Sequence, residues 1–177
     1  RDGFAVAEGA GILILEPQFR VQARGAHVYA NIIGYATTTD GEHRIDPAKD
    51  GVTLSRAIRM ALADARLEPR DIDYICADGA ATPIGDLTET MAIKMAFNSY
   101  AKKIPVSAPK SIFGNMLGAC GVVDVITTVL AMEHGLVPPT VNLITPDPEC
   151  DLDYCPNKAQ EKTIKNALVI NRGRGGI

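Results

Sequence analysis

Few of the features that mark nucleic-acid-binding or disordered proteins occur in this sequence. Tryptophan is absent and aromatic residues make up only 5% of the 177 residues, which argues against stacking platforms for nucleic-acid bases. Neither charge sign dominates, because 18 Lys and Arg oppose 21 Asp and Glu, for a formal net charge of −3. This balance excludes a strongly basic nucleic-acid binder and a strongly acidic tail. We expect no nucleic-acid partner.

Cysteine and histidine are too scattered for a zinc site. No Cys-x-x-Cys pair occurs among the four cysteines, and the three histidines complete no ligand pattern. We therefore predict no metal and no cofactor. Cys76 and Cys120 fall in apolar segments and are interpreted as buried thiols, which favours a cytoplasmic location.

The only long apolar stretch is too short and too interrupted for a bilayer span. It covers residues 116–132 and contains Asp124 and two glycines, whereas a transmembrane helix needs about 20 apolar residues. We predict instead a core helix over residues 116–134, apolar nearly all round and buried on all sides. No membrane partner is expected.

Strand and helix patterns alternate along the chain. Short β-branched or apolar runs predict strands at 9–15, 26–36, 72–77, 104–107 and 167–171, with a turn at 21–25. Apolar residues at three- and four-residue spacing predict helices at 51–67 and 84–100. This is an α/β pattern, and such folds place functional residues on loops at strand ends, here 77–86, 108–118 and 170–177.

The sequence opens without an initiator methionine and stops within a glycine-rich run at residues 173–177. We expect a chain that is incomplete at both ends. Some functional residues would then lie outside it.

Several ordered motifs are similar to the C-terminal half of the β-ketoacyl synthases, condensing enzymes of thiolase fold. They are Arg1-Asp2-Gly3-Phe4, Asp71-Ile72-Asp73-Tyr74, Pro105-Val106-Ser107, Lys110-Ser111, Pro138-Pro139-Thr140 and Asp147-Pro148. The resemblance implies a thiolase-like layered α/β fold, with a mixed sheet and a buried central helix. Residues 1–20 would end the N-terminal half with its last strand, and residues 21–177 would form the C-terminal domain.

The family's chemistry implies which residues to look for. A nucleophilic cysteine carries the acyl chain as a thioester, and its position would lie before Arg1. Two histidines donate hydrogen bonds to the developing enolate, a lysine supports the site electrostatically, and backbone N–H groups near a terminal glycine loop form the oxyanion hole.

Both histidine positions of that pattern are replaced in this sequence. Asp78 stands where the first histidine would open its loop, and Asn115 stands at the second, while Lys110 is retained. An ionised aspartate only accepts hydrogen bonds, so Asp78 would repel both the malonyl carboxylate and the enolate. Asn115 can donate a hydrogen bond but cannot exchange a proton near neutral pH. No catalytic residue is therefore expected to be intact.

The terminal loop also departs from the pattern of the catalytic members. Catalytic members resemble Phe-Gly-Phe-Gly-Gly there, whereas this chain has Arg172, Gly173, Arg174, Gly175 and Gly176. The glycines can keep the backbone path near the former oxyanion hole. We hypothesise that the two arginines pair with Asp78.

Two further acidic residues call for a structural interpretation. Asp86 and Glu89 lie near the start of the second predicted helix and are interpreted as a helix N-terminal capping pair. Asp78, which precedes Gly79, could also be only a turn residue.

These departures resemble the chain-length factor, or ketosynthase β, of type II polyketide synthases. Such a subunit is non-catalytic: it pairs with a catalytic ketosynthase α subunit and shapes the polyketide tunnel. The resemblance implies three partners, namely that subunit, an acyl carrier protein bearing the malonyl or polyketide chain, and the N-terminal half of this protein, on this polypeptide or as a separate chain. Two alternatives stay open, an active β-ketoacyl-[acyl-carrier-protein] synthase with altered residues and a thiolase-fold binding or scaffold protein.

Overall fold

A computed structural model describes residues 3–177. Arg1 and Asp2, which belong to the first family motif and to the predicted segment 1–20, lie outside the described residues. The α-helices are α1 (Gln18–Ala23), α2 (Val52–Ala65), α3 (Pro83–Phe97), α4 (Lys110–Phe113) and α5 (Cys120–His134). Short 3₁₀ helices span Pro69–Asp71, Asn98–Lys103 and Leu117–Ala119. The strands are β1 (Tyr74–Cys76), β2 (Val106–Ser107), β3 (Leu136–Val137), β4 (Gln160–Glu161) and β5 (Ala167–Val169).

A parallel sheet of three strands lies at the centre, in the order β2-β1-β5. Ile75 of β1 is in register with Val106 of β2 and Leu168 of β5. The strands β3 and β4 form a separate antiparallel pair. Because all three central strands run in the same direction, their carboxyl ends meet at one edge, and the loops that follow them meet there too.

Side chains of β1 alternate between two cores, one on each face of the sheet. Ile75 packs into the cluster formed with α2 and α3, which includes Ile93 and Phe97. Tyr74 and Cys76 point to the other face and pack with Ala131 of α5 and with Val137. The period-two alternation of a strand thus places helices on both faces of the sheet, as expected for a layered α/β fold.

The predicted central helix is only half buried. Its buried residues are Cys120, Asp124, Thr128 and Ala131, which recur at three- and four-residue spacing on one face. Leu117 and Leu130 are 60% and 44% exposed. The prediction of burial on all sides is therefore wrong for the described residues. By length and composition alone, Leu117–His134 could cross a membrane, but its inward face carries the carboxylate of Asp124 into the fold.

The predicted strands at residues 9–15 and 26–36 do not form among the described residues. A strand requires a hydrogen-bonded neighbour, and in these segments the backbone has none that builds a sheet. The nearest pairing is a single bridge between Val6 and Asn115. The predicted turn at 21–25 is confirmed only at Arg24 and Gly25, because the short helix α1 occupies residues 21–23. Residues 9–11 instead lie against the start of α5.

Candidate functional site

The loop that follows β1 carries Asp78 and is held by the side chain of Glu89. The backbone N–H groups of Asp78 and Gly79 donate to the two carboxylate oxygens of Glu89, at 2.8 and 2.9 Å. Gly79 has φ +52°, and a Cβ there would lie 2.4 Å from the Cβ of Ala108. Glycine is therefore required for the close approach of the loops after β1 and β2.

Asp78 lies in a buried ion-pair network. One of its oxygens is 3.1 Å from Nζ of Lys110, and the other is 3.7 Å from Nε of Arg172. All three side chains are less than 10% exposed. The loops after the three parallel strands thus bring together Asp78, Lys110 and Arg172, as the sequence predicted for strand-end loops.

A third carboxylate, which sequence reasoning did not assign to the site, completes the network. Lys110 Nζ also donates to Asp124 Oδ2 of α5, at 2.9 Å. The sequence did indicate that Asp124 needs a partner, because a single acidic residue inside an apolar helix is seldom buried without a cation beside it. The sequence could not show that Lys110 is that partner.

The capping prediction for Asp86 and Glu89 needs correction. The N-cap of α3 is Thr82, whose hydroxyl accepts the N–H of Gly85 at 3.1 Å. Pro83 occupies the first helical position, where its missing N–H costs nothing. Glu89 lies in the second turn, too far along the helix to reach its free N–H groups, and it binds the Asp78 loop instead.

Arg172 is buried and bound on several sides, whereas Arg174 is not. Arg172 Nη2 donates to the carbonyl of Gly85 at 2.7 Å, and Nη1 donates to the hydroxyl of Thr88 at 3.1 Å. Nη2 also lies 3.9 Å from Glu89. Arg174 is exposed and is not within ion-pair distance of Asp78. The hypothesis that both arginines pair with Asp78 is therefore supported for Arg172 alone.

The terminal glycines pack the loop against residues 40–45. The N–H of Gly175 donates to the carbonyl of Ile45, and the N–H of Asp40 donates to the carbonyl of Gly176. Gly176 has φ +73°, and a Cβ there would lie 1.7 Å from an oxygen of Asp40. No larger residue fits this backbone path.

Asn115 lies at the start of the turn that leads into α5. Its side-chain oxygen accepts the N–H of Leu117 at 2.9 Å and the thiol of Cys120 at 3.3 Å. Its backbone forms the bridge to Val6, with hydrogen bonds to Ala5 and Ala7. The side chain therefore stabilises the entry to the helix.

Charge balance sets the electrostatics of the pocket. Three carboxyl groups (Asp78, Glu89, Asp124) face two cations (Lys110, Arg172). Burial raises the pKa of both Glu89 and Asp124, although Arg172 and Lys110 oppose the shift. Burial lowers the pKa of Lys110, but Asp78 and Asp124 outweigh it and the net shift is upward. Lys110 therefore stays charged, and the three carboxyl groups outnumber the two cations that could balance them.

The charged side chains of the pocket pair with one another. No histidine lies in the pocket within residues 3–177, since His27, His43 and His134 are all exposed elsewhere. No group of three or more His, Cys, Asp or Glu in that range could hold a metal ion. Each charged side chain in the pocket lies within 4.0 Å of an oppositely charged one.

Comparison with known proteins identifies the family. Residues 29–144 match the β-ketoacyl synthase C-terminal domain. The chain is 48% identical over 176 residues to a 3-oxoacyl-[acyl-carrier-protein] synthase 2 of Staphylococcus aureus (strain COL), covering 99% of this chain and 42% of the relative. It is 46% identical over 177 residues to a putative polyketide β-ketoacyl synthase 1 of Streptomyces virginiae, covering all of this chain and 42% of the relative.

Two solved structures of similar proteins indicate the same family. One is the AntDE:AntF complex, a type II PKS acyl-carrier protein with its ketosynthase bound to the hexaketide. It matches with a TM-score of 0.97 and 43% identity, over 99% of this chain and 43% of that chain. The ishigamide ketosynthase/chain length factor matches with a TM-score of 0.93 and 38% identity, over 99% and 43%.

This chain spans less than half the length of the curated relatives it matches. The fold is thiolase-like, and the matched family model covers β1, β2, α3 and α5 of the Asp78 pocket, but neither β5 nor the terminal loop. The chain belongs to the β-ketoacyl synthase family of condensing enzymes and corresponds to its C-terminal half.

Proposed function

We propose that this chain is part of a chain-length factor, or ketosynthase β: a non-catalytic subunit that pairs with a catalytic ketosynthase α. The pair would carry out decarboxylative Claisen condensation of malonyl units on an acyl carrier protein, and this subunit would shape the polyketide tunnel. The observation that carries the proposal is Asp78, buried beside Lys110 at the position where the family resemblance places a histidine.

The chemistry of Asp78 is opposite to what condensation needs. A histidine there would donate a hydrogen bond to the thioester oxygen as negative charge develops on it. The carboxylate of Asp78 has no hydrogen-bond donor, and it pairs with Lys110 and so neutralises the positive charge of that side chain. Loss of one oxyanion donor typically lowers the rate about 10²–10³-fold. Replacement of that donor by an anion costs more.

Asn115 adds to this loss. Its side-chain oxygen is already committed to Leu117 and Cys120, and an amide does not take up or release a proton at neutral pH. With Asp78, both positions that would bind the enolate lack imidazole. We therefore propose that chemistry takes place on the partner subunit.

The proposed partners follow from the same assignment. They are a catalytic ketosynthase α subunit, an acyl carrier protein, and the N-terminal half of this protein. The structural relatives support this, because one is a ketosynthase in complex with its acyl-carrier protein and another is a ketosynthase/chain length factor. All four cysteines are free thiols, which is typical of a cytoplasmic protein. We propose that location, with no nucleic-acid or membrane partner.

An active β-ketoacyl-[acyl-carrier-protein] synthase is the second candidate. The identity of 48% to a 3-oxoacyl-[acyl-carrier-protein] synthase 2 favours it. It requires that Asp78 and Asn115 replace the two histidines that would donate hydrogen bonds to the enolate.

Reconstitution distinguishes the two candidates. The full-length protein that contains this chain is purified alone and with a catalytic ketosynthase α subunit from the same organism, and decarboxylation of malonyl-acyl carrier protein and ketide formation are measured. We expect a 1:1 complex that condenses and a lone subunit that does neither. The ketosynthase partner alone is the control for its own turnover. If the lone subunit decarboxylates and condenses at a rate comparable to the complex, the chain-length-factor proposal is wrong and the second candidate holds.

A further inference from the structure

Arg172 is positioned to do more than neutralise Asp78. We propose that Arg172 is a positioning residue that latches the terminal loop, residues 172–177, to the start of α3 and keeps the Asp78 pocket closed. The latch is a property of the fold and stands apart from the proposed function. Only its consequence for acyl binding depends on that function.

The guanidinium bridges two elements that are 87 residues apart in sequence. It donates to the Gly85 carbonyl and to the Thr88 hydroxyl, both in the first two turns of α3. Two bonds from one planar group fix its orientation, which a lysine ammonium with a single charged nitrogen would not do. The side chain is 8% exposed, so water competes weakly for these donors.

The other contacts of the terminal loop are made by its backbone. These are hydrogen bonds from the Gly173 N–H to the Ile177 carbonyl at 2.8 Å, from the Gly175 N–H to the Ile45 carbonyl at 2.9 Å, and from the Asp40 N–H to the Gly176 carbonyl at 3.1 Å. Three of its six residues are glycines, which carry the largest backbone entropy to lose on ordering. The side chain of Arg174 is exposed. Among the side chains of this loop that the structure describes, Arg172 alone is buried and bound to another element.

The latch also fixes the pocket through Glu89. Arg172 lies 3.9 Å from Glu89, and Glu89 holds the N–H groups of Asp78 and Gly79. The terminal loop, the helix and the Asp78 loop are therefore joined through one cation. In the family pattern an aromatic residue would stand at position 172, and it would offer neither the charge nor the two donors. If the proposed function holds, the closed loop denies an acyl thioester the space beside Asp78.

Amide hydrogen exchange on the full-length protein tests the latch. In Arg172→Gln we expect the amides of Gly173, Gly175 and Asp40 to exchange roughly 10-fold to 100-fold faster, since hydrogen bonds to a charged group contribute about 1.5–3 kcal/mol. Arg174→Gln, two residues away and exposed, is the matched control and should leave these amides unchanged. Arg172→Lys keeps the charge without the two-donor geometry and should restore only part of the protection.

Each result has a definite meaning. Unchanged exchange in Arg172→Gln, equal acceleration in Arg174→Gln, or full restoration by lysine would each overturn the latch. Should Arg172→Gln fail to fold, Thr88→Val removes one acceptor without changing charge, and faster exchange of the same three amides is expected. Exchange is measured without substrate, so failure of the latch is distinguishable from failure of the proposed function, which the condensation assay decides.

Discussion

Lys110 is the residue on which the buried charge balance depends, because it lies 3.1 Å from Asp78 and 2.9 Å from Asp124. In Lys110→Met, three carboxyls would face Arg172 alone. We expect the free energy of unfolding of the full-length protein to fall by about 3–5 kcal/mol, as when one partner of a buried ion pair is removed. Urea unfolding near pH 7 measures it.

The matched control is Lys102→Met. Lys102 also pairs with a carboxylate, Asp151, at 2.8 Å, but its side chain is 65% exposed. Exposed pairs contribute little because water screens them and holding long side chains costs entropy. The loss should be much smaller than for Lys110→Met. Similar losses in the two variants would show that the pocket charges are not interdependent.

At the same scale, the sequence allowed part of the site to be predicted. The loops that carry Asp78 and Lys110 were predicted because they follow strands, and parallel strands deliver their loops to one edge. The two residues themselves were singled out by the resemblance to the β-ketoacyl synthases. Asp124 and Thr88 were not found, because each sits inside a helix and contacts the pocket only through tertiary packing. Arg174 was paired with Asp78 because the resemblance places the two loops together and their charges are opposite, but only Arg172 turns inward.

At the scale of elements, α3 depends on the cap that the sequence interpretation assigned elsewhere. Thr82→Ala removes the acceptor for the Gly85 N–H, and we expect a loss of about 1 kcal/mol in the free energy of unfolding. Thr82→Ser keeps a hydroxyl at the N-cap and should lose far less. Thermal or urea unfolding of the two variants measures the difference. If serine and alanine prove equally destabilising, the hydroxyl does not cap the helix.

Helices were more predictable than strands for a physical reason. The patterns at residues 51–67 and 84–100 anticipate α2 and α3, because a helix satisfies its own hydrogen bonds and shows its buried face at local spacing. The apolar segments 9–15 and 26–36 carry β-type composition, but pairing depends on a neighbour that the local sequence does not specify. The helix α5 was predicted, but a helix that is apolar nearly all round does not show which of its faces packs against the rest of the fold.

At the scale of the whole molecule, apolar side chains are exposed over much of the first 45 residues. The exposed set includes Ile12 and Ile14, which are 88% and 84% exposed, and also Val6, Leu15, Phe19, Ile32 and Tyr35. Extensive exposed apolar surface is typical of surfaces that bind other protein. This agrees with the proposal that the chain functions within a larger assembly.

Alkaline pH should destabilise the folded protein, because several buried groups keep their protons longer when folded. Burial raises the pKa of the Cys76 thiol to about 12 from 9.0. Burial also raises the pKa of Tyr74, and the net shift of the Lys110 pKa is upward because Asp78 and Asp124 outweigh its desolvation. The native state therefore binds more protons than the unfolded chain above about pH 9, and stability falls as pH rises.

The thiol of Cys76 alone should account for about 1.4 kcal/mol of lost stability per pH unit above about pH 9, until its native pKa is reached. Urea unfolding of the full-length protein from about pH 8 to about pH 11 measures the slope. Cys76→Ala lacks this ionisation, so its stability should start lower, because the substitution leaves a cavity, but decline less steeply. Lys110 and Tyr74 keep the remaining slope negative. A slope in Cys76→Ala identical to that of the unmodified protein would mean that the thiol ionises no later in the fold than in the unfolded chain, and that the core beside β1 admits water.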